Sequence, residues 1–275
     1  MMPQQAMGTH QTEIRQPVHN LTKKQIYQLA LSLRSSGKLY NRNDPALEDV
    51  FKGSIDRFSD IAYRLRMSKK ILDVGAGHGM LLSLLCELGH DCYALDIADY
   101  SAKYPEVYRH KPIQFQVCNI EVDPLPFPDD CFDAVVCCQV MEHFSHSHLK
   151  AMQEIHRVLK SGGIVEVDVP NAVSFRNRSR MLRGKNITYD YKKHYLHAQP
   201  VSYKGMSFYP KRHNREFTKD ELRILLDACG FRNIEIAFLK SRRHRVGLEK
   251  IRTLGTIIKD AAPSLRKSLI AFAEK

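Results

Sequence analysis

The run Lys70-Ile71-Leu72-Asp73-Val74-Gly75-Ala76-Gly77-His78-Gly79 leaves this chain few ways to fold. An apolar stretch ends in three glycines at alternate positions, and a helix-like run from Met80 to Leu88 follows. The order is strand, tight loop, helix. Glycine admits the positive φ of a sharp turn and lets a ligand lie against bare backbone. The first N–H groups of the helix then point at whatever sits above the loop. The spacing separates one ligand from another. A dinucleotide fingerprint reads Gly-x-Gly-x-x-Gly, but here position 80 is Met. Asp73, two residues before the loop, would repel a pyrophosphate and suits an ammonium or sulfonium group.

The rest of the chain alternates strand and helix. Apolar runs at Cys92–Ile97, Ile113–Cys118, Phe132–Val140, Ile164–Val169, Ile234–Leu239 and Leu269–Ala273 read as further strands. Helical spacing covers Leu21–Leu33, Leu47–Leu65, His148–Leu159, Thr218–Cys229 and Val246–Ala262. Asp44 before Pro45, and Thr218 with Glu221, are helix-start signals, and Gly230 is a stop. Lys160-Ser161-Gly162-Gly163 reads as a turn. This alternation implies an α/β fold with a parallel, doubly wound sheet. A length of 275 residues accommodates one large domain with appendages. We divide it into a mobile N-terminus (1–20), N-terminal helices (21–66) and the main domain (67–275). The main domain carries an insertion at 171–217 and a basic segment at 240–267. None of the seven cysteines forms a Cys-x-x-Cys pair, so they read as buried thiols, with no metal site expected. No apolar run is long enough to span a membrane, and the start lacks a secretory signal, so the expected location is cytoplasmic.

Taken together, these pieces resemble the class I S-adenosylmethionine (SAM) methyltransferases over about residues 65–240. The resemblance rests on Asp73-x-Gly75-x-Gly77-x-Gly79, Asp96 at the end of the second strand, and Asn119-Ile120 after the third. It also rests on Leu125–Asp133 leading into the fourth strand and Leu159–Gly163 leading into the fifth. The run His213-Asn214-Arg215-Glu216-Phe217-Thr218 resembles the His-x-Arg-x-Phe/Tyr-Thr run in methyltransferases of cell-surface glycan and quinone pathways, and the whole resembles the small-molecule and glycan-associated, type 11-like group. The resemblance implies a Rossmann-like, doubly wound, seven-stranded, mostly parallel sheet with N-terminal helices and a lid insertion after strand five. It implies SAM as cofactor, held by Asp73, Gly75, Ala76, Gly77, Gly79, Asp96, Ile97, Asn119, Ile120 and Gln139. Asp96 would accept the ribose hydroxyls. Asn119 would pair with the adenine amino group, and Ile120 would pack on the ring.

Gln139-Val140-Met141-Glu142-His143 follows strand four, where the transferable methyl should lie. His143 is a candidate proton acceptor there, with Glu142 beside it; the other reading is a structural pair that holds the loop. The insertion at 171–217 leaves the carboxyl edge of the sheet and is expected to roof an acceptor pocket. Its candidates are Asn171, Arg176, Arg178, Tyr189, Tyr191, His194, Tyr195, Tyr203, Tyr209, His213 and Arg215. Of these, His213 counts as catalytic, and Tyr191, His194 and Arg215 as acceptor contacts. For His213 and Arg215 the alternative is a tie to the following helix cap. No Asn/Asp-Pro-Pro-Tyr/Phe or Pro-Cys follows strand four, which argues against base methylation of nucleic acid despite the net charge of +12. Lys240, Arg242, Arg243, Arg245, Lys250, Arg252, Lys259, Arg266 and Lys267 form a basic segment. It suits the phosphate of a nucleotide- or lipid-linked acceptor, peripheral contact with an anionic membrane, or plain solvent. The expected function is methyl transfer to a small-molecule or glycan acceptor, at oxygen. The alternatives are an RNA methyltransferase that grips phosphate through the basic segment, and a non-catalytic SAM-binding partner subunit.

Overall fold

The computed structural model describes residues 18–275 apart from Arg42, His110, Tyr189 and 241–260. The readings for 1–17, for most of the basic segment and for its helix at 246–262 lie outside the described residues. Val18–Asn20 form a short 3-10 turn, and Val18 packs on the core.

Seven strands form the sheet: β1 (Lys70–Val74), β2 (Asp91–Asp96), β3 (Ile113–Val117), β4 (Phe132–Cys138), β5 (Leu159–Pro170), β8 (Arg232–Phe238) and β9 (Ser268–Glu274). Their order is β3-β2-β1-β4-β5-β9-β8, and β9 runs antiparallel to both its neighbours. A separate hairpin joins β6 (Val201–Tyr203) to β7 (Met206–Phe208). The helices are α1 (Lys23–Ser35), α2 (Pro45–Arg64), α3 (Met80–Glu87), α4 (Pro105–Tyr108), α5 (His148–Val158), α6 (Phe175–Leu182) and α7 (Lys219–Ala228). Among the described residues no helix is long and apolar enough to cross a membrane.

The pleat explains how one sheet serves two cores. Successive side chains of a strand point to opposite faces. Ile71, Ala134 and Val136 therefore join α1, α2 and α3 in one apolar cluster. Leu72, Val74, Val135 and Cys137 join α5 and α7 in the other. Covered on both sides, β4 is almost continuously apolar. The helix starts follow the sequence signals. Asp44 accepts from Ala46 N and Leu47 N, Thr218 and Glu221 form a capping box, and Gly230 takes φ 87°.

One turn is placed differently. Lys160-Ser161-Gly162-Gly163 lies within β5 rather than before it. Leu159 pairs with Phe132 and the next pair is Ile164 with Ala134, so the four residues bulge from the ladder. Gly162, at φ 74°, supplies the bend.

The chain leaves β1 for β2 and β3 on one side, then returns to place β4 on the other. That reversal opens a crevice at the carboxyl ends of β1 and β4, where ligands bind in open α/β sheets.

Candidate active site

The glycine loop is built from the backbone outward. Gly75, Gly77 and Gly79 take φ values of 75°, 52° and 67°. A Cβ on Gly75 would lie 2.4 Å from Val140 Cγ2, and one on Gly79 would lie 2.8 Å from Tyr108 Cζ. Gly75 N and Ala76 N both donate to Leu95 O, at 2.8 and 3.1 Å, which clips the loop to β2. Tyr108 donates its hydroxyl to Gly77 O at 2.9 Å.

Asp96 closes β2 beside this loop. Its carboxylate accepts from Gly77 N at 3.0 Å and from Ile97 N at 2.7 Å. Burial pushes its pKa up to about 6, against the downward pull of these backbone donors. Asp73 sits deeper, 5% exposed. Burial, and then the charge of Asp96, push it up to about 8.

The crevice above the loop has an internal volume of about 170 Å³. Gly75, Asp96, Ile97 and Tyr100 line one side, and Asn119, Ile120 and Glu121 line the next. Gln139, Val140, His143 and Phe144 form the far end, and Phe208, Tyr209 and Pro210 cover it from the insertion. Asn119 Oδ1 accepts from Glu121 N at 3.1 Å, which fixes the orientation of the amide. Its buried Nδ2 then has no hydrogen-bond partner among the described residues. The amide oxygen is thus occupied, and the buried donor is left over.

Gln139 adopts φ 58°, a left-handed conformation for a residue with a side chain. Asp168 holds it there. Gln139 N donates to Asp168 O at 2.9 Å, and Gln139 Nε2 donates to Asp168 Oδ1. Arg57 of α2 pairs with Asp168 at 3.0 Å and donates to Ser54 Oγ at 3.1 Å.

His143 Nδ1 lies 2.7 Å from Arg212 O. A carbonyl only accepts, so Nδ1 carries the proton and Nε2 holds a lone pair. Burial lowers the pKa of His143, while the carbonyls of Arg212 and Gln139 raise it in part. Glu142 is fully buried, and burial raises its carboxyl to about 8. His213 stands edge-on to His143 with ring centres 4.9 Å apart. Burial, then the neighbouring His143, lower His213 to about 4.

Of the residues singled out from sequence, Gly75, Asp96, Ile97, Asn119, Ile120, Gln139 and His143 line this crevice. Ala76, Gly77 and Gly79 shape the loop from behind, and Asp73 and Glu142 are buried beneath it and beside it. Tyr191 is 63% exposed and stacks on Tyr195. His194 lends its carbonyl to Arg212 Nε at 3.0 Å. Arg215 pairs with Glu221 of the α7 cap at 2.5 Å, the helix-cap alternative for that residue. Asn171 is buried and donates to Ser264 O and Arg266 O, so it braces the chain.

Sequence reasoning missed Arg57, Asp168, Tyr100, Phe208 and Pro210. Two signals were available. Glu166 and Asp168 are acids inside an apolar strand run, where charge needs a partner. Lys204-Gly205 sits between Val-Ser-Tyr and Met-Ser-Phe, which is the pattern of a two-residue hairpin.

The comparisons with known proteins agree with this geometry. Residues 72–167 match a family model described as methyltransferase domain. The ubiquinone biosynthesis O-methyltransferase, mitochondrial, of Mus musculus is 35% identical over 108 residues, covering 37% of this chain and 29% of that protein. The ubiquinone/menaquinone biosynthesis C-methyltransferase UbiE of Coxiella burnetii (strain Dugway 5J108-111) is 32% identical over 110 residues, covering 38% and 44%. The chain thus spans less than half the length of the curated relatives it matches. A SAM-dependent methyltransferase from Archaeoglobus fulgidus superposes with a TM-score of 0.52 at 17% identity, over 84% of this chain and 98% of that one. The CurJ carbon methyltransferase gives 0.52 at 16%, over 92% and 66%. At these identities the superpositions speak to the fold. Fold, glycine loop and family match converge on a Rossmann-like fold in which residues 72–167 match the methyltransferase domain model, with S-adenosylmethionine as the cofactor this likeness implies.

Proposed function

We propose that this protein transfers a methyl group from SAM to a hydroxyl oxygen of a small-molecule acceptor, with glycans or lipid- or nucleotide-linked sugars as the class to test first. One observation carries the reading. A single crevice runs from a carboxylate beside a glycine loop, Asp96, to the imidazole of His143, whose Nδ1 is committed to the Arg212 carbonyl.

The residues fit the cofactor. Asp96 offers a carboxylate to vicinal hydroxyls, and the loop at Gly75 offers backbone with no side chain in the way. The unpartnered Nδ2 of Asn119 would donate to an adenine ring nitrogen, while Ile120 packs on the ring. When bound, SAM supplies a methyl on a sulfonium, ready for displacement. The chain's own work is to align the nucleophile, keep out water and dispose of one proton. Phe208, Tyr209 and Pro210 cover the crevice and limit water. Gln139, pinned by Asp168, sets the wall at the end of β4. His143, with Glu142 and His213 next to it, stands where the acceptor hydroxyl would lose its proton.

The relatives support a small-molecule acceptor by their printed names, one a quinone-pathway O-methyltransferase and the other a C-methyltransferase. The test is tritium transfer from labelled SAM into a fractionated cell extract, with the labelled product identified by NMR. Label in a small molecule as an O-methyl group is the expected result. Label in RNA or protein, or on carbon, would overturn the proposal. In the same assay His143→Ala should cut kcat by about 10²–10⁴-fold, with SAM affinity within about twofold of the parent.

A further inference from the structure

The far end of the crevice holds an acid with no evident means of support. Glu142 is completely buried, and neither carboxylate oxygen has a hydrogen-bond partner among the described residues. Folded proteins rarely keep such a group without cause, and an absent ion is one recognised cause. The surroundings provide further donors. His143 Nε2 lies 3.8 Å from Glu142 Oε1. One donor atom from each of Glu142, His143 and His213 falls within 4.8 Å of the other two.

The supporting shell has the form that ligating histidines use. His143 Nδ1 donates to Arg212 O, which turns Nε2 inward as a lone pair. The two segments that carry the cluster are stitched together. Glu142 O accepts from Asn214 N at 2.7 Å and from Arg215 N at 3.2 Å. Tyr195 donates its hydroxyl to His213 O at 2.5 Å. Residues far apart in sequence are thereby held at one point by backbone contacts that none of the three side chains makes.

We propose that Glu142, His143 and His213 form a binding site for one divalent transition-metal ion at the acceptor end of the crevice. The inference rests on reading that end as the acceptor pocket, and it specifies how the proton is handled there. Nitrogen and oxygen ligands stand about 2.0–2.2 Å from such an ion, hence roughly 3–3.5 Å from one another. From an outer separation of 4.8 Å, the side chains close by roughly 1.3–1.8 Å at most to reach that spacing. Two imidazoles and one carboxylate suit zinc, iron, cobalt or nickel more than magnesium or calcium, and they leave positions open. An acceptor hydroxyl in an open position would have its O–H bond weakened by the ion's charge. The proton leaves to water at the mouth, and the oxygen keeps the electron pair for attack on the methyl.

The test uses the full-length, tag-free protein stripped with chelator, titrated with Co²⁺ alone. Ligand-field absorption that saturates at one equivalent is expected, together with a thermal midpoint that rises with Co²⁺. Glu142→Gln and His213→Ala should each weaken Co²⁺ at least tenfold; the second variant, at a less buried position, stands in if the first fails to fold. No saturable absorption, or equal affinity in the parent and in His213→Ala, would overturn the proposal. A separate titration with SAM in chelator reads the cofactor site. If SAM fails to bind while Co²⁺ passes, the fault lies with the function proposed for the crevice, and the ion site stands.

Discussion

Gly75 cannot take a side chain unless Val140 moves. Its φ of 75° is left-handed, and an added Cβ would meet Val140 Cγ2 at 2.4 Å. Gly75→Ala should therefore cost about 2–4 kcal/mol, combining backbone strain with overpacking. Val140→Ala in the same chain should recover the steric part and leave about 1–2 kcal/mol of strain. Thermal unfolding of the two variants checks this, and equal midpoints for parent and Gly75→Ala would contradict it. At Asp96 the sign of the pH effect follows from its environment. Burial raises its pKa to about 6, and the ionised carboxylate is the form that accepts from both ribose hydroxyls at once. SAM affinity should be flat above pH 6 as far as this group is concerned. Below pH 6 it should fall, approaching tenfold per pH unit, as the carboxylate protonates. Titrations across pH 5 to 8 would show it, and Asp96→Asn should remove the slope. Both residues were legible in sequence because each answers a local demand: a turn needs positive φ, and a strand end beside that turn can present an acid. The orientation of Asn119 was not legible. It depends on Glu121 N occupying the amide oxygen, a contact set by how the loop after β3 folds back.

Helices and the hairpin offer separable tests. The Thr218–Glu221 capping box starts α7, which packs against α5 on the face away from α2. Thr218→Ala should cost about 1 kcal/mol, a drop of roughly 2–4 °C in a chain of this size. SAM affinity should be unchanged, as calorimetry would verify. The hairpin of β6 and β7 bears on function more directly. Tyr203 donates to Asp123 at 2.5 Å and Lys204 pairs with the same carboxylate at 2.7 Å, so the hairpin is fastened to the loop after β3. That fastening holds Phe208 over the crevice. Tyr203→Phe should raise the KM for acceptor about threefold to tenfold, the worth of roughly one ordinary hydrogen bond, and leave SAM binding intact. An unchanged acceptor KM would separate the hairpin from the acceptor. Caps and periodic helices were readable because their signals are contained within a few residues. The bulge in β5 was not, because Lys160–Gly163 has turn composition and only the pairing with β4 shows that the strand begins before it.

Across the whole molecule, a buried ion pair ties the N-terminal helices to the crevice edge of the sheet. Arg57 of α2 meets Asp168 of β5, which in turn holds Gln139 at the end of β4. Removing Arg57 would strand Asp168, which is 0% exposed, at a cost of about 3–5 kcal/mol. Arg57→Met should accordingly lower the thermal midpoint steeply. Asp168→Asn in the same chain should recover part of it, because the stranded charge is gone. Loss of the midpoint shift in Arg57→Met alone would contradict this picture. No reading of α2 could have paired it with β5, since the partners are 111 positions apart in sequence. The overall architecture was legible because parallel strands impose crossover helices on any chain of this pattern. What positions the acceptor end, by contrast, is assembled from segments that meet only in the folded state, as Glu142 and His213 do. The central claim remains the crevice between the glycine loop and Asp96, and calorimetric titration of S-adenosylhomocysteine into the protein and its Asp96→Ala variant tests it most directly. One site per chain, with affinity at least tenfold weaker in the variant, is the expected result; no binding heat, or the same affinity in both, would contradict it.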